Sequence, residues 1–198
     1  PNRSQPEVEQ QGIKRINVKR RAEVPSLSML YKVPVLKTAL ANPEIAEEWE
    51  LYALDVLAGV LDGGNSARFS SRLVRGSEVA NSVGIGFNMM ARLDNTLSIG
   101  GTPSRGKTVD DLEQAIRKEL DLLKEELVDE KEMERVKAQV VSQDVYEKDS
   151  AFYQGMILGT LETVGLSWRL ADEYVEKIQK VTPEQIRSVA NKYFIDDH

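Results

Sequence analysis

Hydrophobic and polar residues alternate in four segments of the first half of the chain. Ile16 and Val18 stand between charged or polar neighbours, and a period of two runs through residues 27–35. The same period recurs in residues 83–87 and 93–99. Because successive side chains of a strand point to opposite faces, each segment predicts a β-strand with one buried face.

Apolar residues spaced by three and four predict helices elsewhere. Asn42-Pro43-Glu44 has the composition of a helix start, because Asn can cap and Pro is tolerated at the first helical position. This helix is expected to end at Gly63-Gly64, since glycine readily takes the left-handed conformation that terminates helices. A short helical segment is expected at residues 67–75.

Helices follow one another from residue 108 onward. Thr108, Asp129 and Thr182 each precede a stretch with helical apolar spacing, and Thr108 and Thr182 stand in capping-box-like contexts. Strands therefore come early in the chain and helices late. This order predicts an α+β fold with two layers, in which a largely antiparallel sheet has helices packed on one face.

The ends of the chain differ from its body. Residues 1–12 are polar and contain two prolines, which predicts a linker from a preceding domain, and residues 13–198 are expected to form a single α+β domain. The basic run 14–21 is expected to be a solvated edge strand. Because the sequence starts at Pro1 and stops directly after an apparent helix, we expect it to be part of a longer polypeptide.

Charge and composition exclude several classes of protein. The formal net charge is -6, which argues against a nucleic-acid-binding surface. Cysteine is absent, so disulfides and thiolate metal sites are excluded. No apolar run approaches the roughly 20 residues that span a bilayer, so no membrane segment is expected.

The segment Gly101-Thr-Pro-Ser-Arg-Gly106-Lys107-Thr108 satisfies the P-loop pattern of nucleotide-binding proteins. However, Asp110 and Asp111 occupy the helix turn where the phosphates would bind, and two carboxylates would repel them. The preceding strand also alternates, unlike the continuously apolar strand of a buried parallel sheet. We therefore interpret the segment as a turn followed by a capped helix, and a P-loop NTPase remains an alternative.

Three further features have structural interpretations. Gly155 and Gly159 are expected to allow close packing of soluble helices, and Gly84 and Gly86 to face a crowded sheet surface. His198 is the only histidine. Because a hydrolytic zinc needs several converging ligands, no metal site and no catalytic residue are expected in this chain.

The order of three motifs resembles a known family. They are GGNSARFSSRL at residues 63–73, VRGSEVANSV at residues 74–83 and VDEKEMERVKAQV at residues 128–140. Together they resemble the C-terminal, metal-free domain of pitrilysin/insulinase-type zinc metallopeptidases. Such a peptidase pairs two similar α+β domains, of which one carries an inverted zinc motif H-x-x-E-H. That motif is absent here, so the resemblance implies the metal-free, inactive domain.

The resemblance also implies candidate substrate-binding residues. The metal-free domain of active members contributes an Arg and a Tyr near the scissile carbonyl. The tyrosine position falls on Asn81 and the arginine position on Val74, with Arg72 and Arg75 as neighbours that could substitute. Asn81 could donate a hydrogen bond to a peptide and Arg75 could balance negative charge. Alternatively, these are solvated residues at the start of a strand.

The expected function is therefore that of a non-catalytic C-terminal domain of a zinc metallopeptidase. It would help to form the substrate chamber and bind peptide for proteolysis by a separate H-x-x-E-H domain, so zinc is expected in the catalytic domain of the parent or partner. The partner would be an N-terminal zinc-bearing domain or a sister subunit, as a homodimer or heterodimer. The alternative is a structural subunit of a peptidase-like complex without proteolytic activity. A periplasmic location is favoured over a cytoplasmic one.

Overall fold

The computed structural model describes residues 12–19 and 24–195. In this part of the chain three strands form one antiparallel sheet, with β3 in the centre and β1 and β2 on either side. The strands are β1 (Leu27–Val33), β2 (Ala80–Gly86) and β3 (Asn95–Pro103).

Seven α-helices and one π-helical turn complete the described residues. They are α1 (Leu36–Ala41), α2 (Glu48–Asp62), the π turn (Phe69–Val74), α3 (Val109–Glu125), α4 (Glu130–Lys148), α5 (Ala151–Val164), α6 (Leu170–Lys180) and α7 (Pro183–Tyr193). The π turn confirms the short helical segment expected at residues 67–75.

One face of the sheet forms the floor of the core. Met29, Leu97 and Ile99 are buried on this face and α2, α3 and α7 pack on the sheet, whereas Leu30 on the opposite face is 58% exposed. Helix α2 is the most deeply buried helix, because apolar residues almost encircle it from Leu51 to Leu61. The predicted fold class, an antiparallel sheet with helices on one face, is confirmed.

The strand predicted around Ile16 and Val18 is wrong. Residues 13–19 have no regular secondary structure, and the two side chains are 82% and 72% exposed. An alternating pattern becomes a strand only where a neighbouring strand supplies hydrogen bonds, and no described strand pairs with these residues. Arg15 is instead held by Glu113 of α3 at 2.7 Å. Residues 20 and 21 of the basic run, residues 1–11 of the predicted linker and His198 lie outside the described residues.

The start predicted for the second helix is also wrong. Asn42 is the C-cap of α1, a short helix that the sequence pattern did not predict, and α2 begins only at Glu48. The N-cap of α2 is Glu47, which forms a capping box with Glu50. The chain turns into α1 because Leu36 is fully buried there, which also ends β1 two residues earlier than the alternation predicted.

Of the two expectations for glycine pairs, the one for Gly84 and Gly86 is confirmed and the one for Gly155 and Gly159 is wrong. Added Cβ atoms at Gly84 and Gly86 would lie 3.0 Å from Asp62 Oδ2 and 2.9 Å from Ser98 Oγ, so the crowded sheet surface is confirmed. At Gly155 and Gly159 an added Cβ would meet no described atom within 4 Å. The close helix packing expected there is therefore wrong, because this side of α5 has no described neighbour.

Candidate functional site

Asn81 lies on a bulge at the start of β2. The pairing of β2 with β3 shifts register between Ala80 and Ser82, so Asn81 is the extra residue. It is exposed, and its side chain makes no hydrogen bond to any described residue. A bulge redirects a side chain and increases the local twist. Glu78, which precedes the strand, has a φ of 51°, a value that few residues other than glycine adopt.

The outer edge of β2 carries backbone groups without strand partners. The amide of Ile85 points away from β3 and donates to Asp62 Oδ2 at 3.1 Å. Because every second residue of an edge strand directs both its N–H and its C=O outward, Val83 does the same. Within the described residues the outward N–H and C=O of Val83 have no hydrogen-bond partner. This edge can therefore pair with another extended chain.

The two candidate arginines lie on the π turn and just after it, next to β2. Arg72 donates to Glu119 Oε2 of α3 at 2.9 Å, and its side chain is 45% exposed. Arg75 donates to the backbone oxygen of Asn65. Thus the structure holds the arginines on different partners and joins neither of them to Asn81 by a hydrogen bond among the described residues. The role of the three residues in substrate binding stays a prediction.

Arg68 also belongs to this region, although no sequence pattern pointed to it. Its side chain is 7% exposed, and its guanidinium donates two hydrogen bonds, of 2.8 and 2.7 Å, to Glu132 near the start of α4. Burial lowers the pKa of Arg68, but the hydrogen bonds and charge of Glu132 outweigh burial, so the pKa lies above its ordinary value. The pair fixes the π turn to α4. The only signal in the sequence was a charged residue between the apolar residues Ala67 and Phe69, which are both fully buried in the structure.

A cleft of about 310 Å³ runs beside the outer edge of β2. Its lining includes Asp62 of α2 and Ile85 of β2, together with Val136 and Gln139 of α4. The cleft adjoins a larger groove between the later helices, with which it shares Asp55, Phe87, Val140 and Tyr174. An extended peptide paired with β2 would have its side chains beside this cleft.

The described part of the chain contains neither a candidate metal site nor a candidate membrane-spanning helix. It contains no cluster of three or more His, Cys, Asp or Glu side chains able to hold a metal ion. The residues present therefore do not fit a catalytic zinc. In the same residues no helix is both long enough and apolar enough to cross a bilayer.

The P-loop-like segment is a strand end, a turn and a helix cap. Residues 101–103 end β3, the central strand of an antiparallel sheet. Thr108 caps α3, and Asp111 Oδ2 accepts from its backbone N–H at 2.8 Å. Hydrogen bonding to Thr108 also lowers the pKa of Asp111. A carboxylate thus lies where a P-loop binds phosphate, which disfavours nucleotide binding.

Solved structures show the same fold. A protease from Helicobacter pylori is 20% identical with a TM-score of 0.84, and the match covers 96% of this chain but only 43% of that protein. The inactive peptidase domain of a proposed zinc protease from Bordetella parapertussis is 17% identical with a TM-score of 0.73, and 91% of each chain is covered. The peptidase M16 inactive domain from Pseudomonas fluorescens is 16% identical with a TM-score of 0.64, covering 87% of this chain and 38% of that one.

No curated protein sequence matches this chain. The sequence profile of one family, described as the peptidase M16 inactive domain, matches residues 1–140. The match spans the sheet, the π turn, the outer edge of β2 and half of α4. It confirms the resemblance to the metal-free domain of zinc metallopeptidases, and the chain belongs to the peptidase M16 inactive-domain family.

Proposed function

We propose that this domain binds peptide substrate, without catalysing its cleavage, as the metal-free half of a zinc metallopeptidase. The peptide would lie extended along the outer edge of β2 and help to close a chamber around the zinc site of another domain. The observation that carries the proposal is the outward N–H and C=O of Val83, next to the exposed bulge at Asn81. An extended peptide can add to such an edge through main-chain hydrogen bonds.

The side chains near the bulge have complementary roles in this proposal. The Asn81 amide would donate a hydrogen bond to a carbonyl of the bound peptide. Arg75, held by the Asn65 carbonyl, still has other N–H groups with which to balance negative charge. Arg72 would act in the same way through the N–H groups that Glu119 leaves free.

Zinc in this proposal belongs to a separate domain or sister subunit. The described residues of this chain offer no ligand set for it, and the similar Bordetella parapertussis domain comes from a proposed zinc protease. The chain spans less than half of the Helicobacter pylori protease, which leaves room for a second, zinc-bearing domain in a protein of that size.

Amide exchange tests the peptide site directly. An extended peptide that binds β2 should slow hydrogen exchange of the Val83 amide, measured residue by residue by NMR. Val83→Pro removes the outward N–H and should abolish binding, whereas the matched variant Val83→Ala keeps the N–H and should retain it. A peptide methylated at alternate backbone nitrogens should not bind. Binding that Val83→Pro leaves unchanged would rule out strand addition at this edge.

The zinc half of the proposal needs the complete peptidase. Zinc content and peptide cleavage would be measured on the natural protein that contains this domain, together with any subunit that copurifies with it. Bound zinc and cleavage that a chelator stops would support the proposal. Absence of both would favour the alternative, a structural subunit without proteolytic activity.

A further inference from the structure

A groove of about 640 Å³ lies between α4, α5 and α6, on the helical side of the domain. Its wall contains Val140 of α4 and Ile157 and Leu158 of α5. Trp168, just before α6, lies at its rim and is 48% exposed, and Leu158 is 39% exposed. An apolar groove with exposed aromatic and aliphatic side chains is typical of an interaction site.

The charged groups around the groove are mostly negative. Asp144, Glu147 and Asp172 line it together with Asp55, whereas Lys148 is its one lining base among the described residues. The ammonium of Lys148 is paired with Asp144 at 2.8 Å, and Asp55 accepts a hydrogen bond from the Tyr174 hydroxyl at 2.5 Å. Lys148 also interacts with Asp172, so one base faces the three carboxylates of Asp144, Glu147 and Asp172, and the rim keeps a net negative charge.

We propose that this groove binds a cationic amphipathic helix of a partner protein. Its apolar stripe would cover Ile157, Leu158 and Trp168, and its Lys or Arg residues would face Glu147 and Asp172. A helix suits the groove better than a strand, because most of its wall is helical, with backbone groups that are already bonded, and residues 87–90, which also line it, form no strand. This inference does not rest on strand addition at β2, which uses the backbone edge of that strand, although the groove adjoins the cleft beside it.

The test uses the whole chain and two synthetic peptides. One is a labelled amphipathic helix of about 14 residues, or four turns, with leucines on one face and lysines on the other. The other has glutamate in place of every lysine. Fluorescence anisotropy should show that the cationic peptide binds at least about tenfold more tightly than the acidic one, a difference of about 1.4 kcal/mol. Added salt should weaken the binding, since the rim charges are exposed.

Matched variants locate the binding site. Asp172→Lys should weaken binding of the cationic peptide about tenfold, whereas Glu134→Lys, an exposed reversal on the far part of α4, should have little effect. Leu158→Asp should weaken binding, whereas Leu127→Asp, at a residue that is 46% exposed, should not. Circular dichroism would check that the variants are folded, and Asp172→Lys decides the test if Leu158→Asp does not fold.

Several outcomes would overturn the proposal. These are equal affinity for both peptides, equal effects of the test and control variants, or binding of phenethylamine in the groove without binding of the cationic helix. The last result would show a site for small amines. If Val83→Pro reduced binding of the cationic helix as strongly as Asp172→Lys, the peptide would be occupying the edge of β2 and not the groove.

Discussion

The carboxylate of Asp62 accepts a hydrogen bond at 3.1 Å from the amide of Ile85, so the last residue of α2 lies against the outer edge of β2. Neighbouring Gly84 makes room for it, since an added Cβ would lie 3.0 Å from Asp62 Oδ2. One outward amide of the edge is thereby occupied and the next, at Val83, is not. The C-terminus of α2 thus determines which part of β2 is available to a peptide.

Asp62→Ala should lower the free energy of unfolding by about 1 kcal/mol, because the Ile85 amide loses its acceptor. The same variant should bind an extended peptide more tightly than the wild type, since it offers a second outward donor. Asp62→Asn keeps an acceptor oxygen and serves as the matched control. Urea unfolding and peptide titration would measure both effects. Equal stability of the Ala variant and the wild type would mean that this hydrogen bond contributes nothing.

Glu132→Ala should destabilise the domain by about 3–5 kcal/mol, because it leaves the buried guanidinium of Arg68 without its partner. Glu176→Ala is the control. The side chains of Lys180 and Glu176 are 71% and 69% exposed, so loss of this ion pair should have no measurable effect on stability. Denaturant unfolding would compare the two. A small effect of Glu132→Ala would mean that water reaches Arg68.

The Arg68–Glu132 pair should make the stability of the domain depend on pH in the acidic range. Burial raises the pKa of Glu132, but the hydrogen bonds and charge of Arg68 outweigh burial, so its pKa in the folded state lies below the ordinary value of 4.5. The resulting stabilisation is present above the ordinary pKa and is lost as pH falls through the lower, folded-state pKa. As the pH is lowered from neutral into this range, the free energy of unfolding should therefore fall less in Glu132→Ala than in the wild type.

Gly101→Ala should destabilise the domain by about 1–3 kcal/mol, because the added Cβ would lie 2.7 Å from the backbone oxygen of Ser82 on the adjacent strand. Gly100→Ala is a control one residue away, where the nearest atom, Leu27 O, is 3.7 Å from the added Cβ. Thermal unfolding would separate the two.

Lys107→Ala should leave stability unchanged, and neither wild type nor variant should bind ATP with magnesium.

Gly155→Ala and Gly159→Ala should each stabilise the domain by roughly 0.5–1 kcal/mol, because alanine favours a helix and an added Cβ meets no described atom there. Gly59→Ala in α2 should have the opposite effect, since its Cβ would lie 2.7 Å from a methyl group of buried Val136. Measuring all three by thermal unfolding tests whether the outer side of α5 is free. Destabilisation by Gly155→Ala would indicate a neighbour packed against it.

Local sequence signals predicted where helix caps lie, whereas contacts between distant residues determined whether a cap begins or ends a helix. Thr108 and Thr182 cap helices as predicted, because a capping box is contained within four residues. Asn42 has equally good capping chemistry, yet burial of Leu36 places a helix before it and makes it a C-cap. The choice between these two uses depends on packing that the local sequence does not contain.

The candidate site shows the same division. The family resemblance pointed to Asn81, but its bulge depends on the register with β3 and could not be predicted from β2 alone. Arg68 and Glu132 are 64 residues apart, and nothing in the local sequence of either pairs them. The groove likewise depends on how α4, α5 and α6 come together.

Three tyrosines should make the domain sensitive to alkali. Burial raises the pKa of Tyr52 to about 12. Burial, together with the carboxylates of Asp55 and Glu50, raises the pKa of Tyr174 and Tyr193 still further above 10. The folded state therefore keeps protons that the unfolded state has lost above about pH 10, so stability falls as pH rises from there towards the folded-state values.

The near-ultraviolet absorbance of tyrosinate would test this expectation on the six tyrosines of the chain. Part of the absorbance change should appear only together with loss of the circular dichroism signal, because Tyr52, Tyr174 and Tyr193 ionise when the domain unfolds. Tyr193→Phe should reduce that late part, although it also leaves Glu50 without the hydroxyl that donates to it at 2.6 Å. The denaturant-unfolded chain should titrate in a single step. If the native protein did the same, water would have access to all three hydroxyls, and the pairs that Tyr174 and Tyr193 make with Asp55 and Glu50 would be too weak to hold their protons.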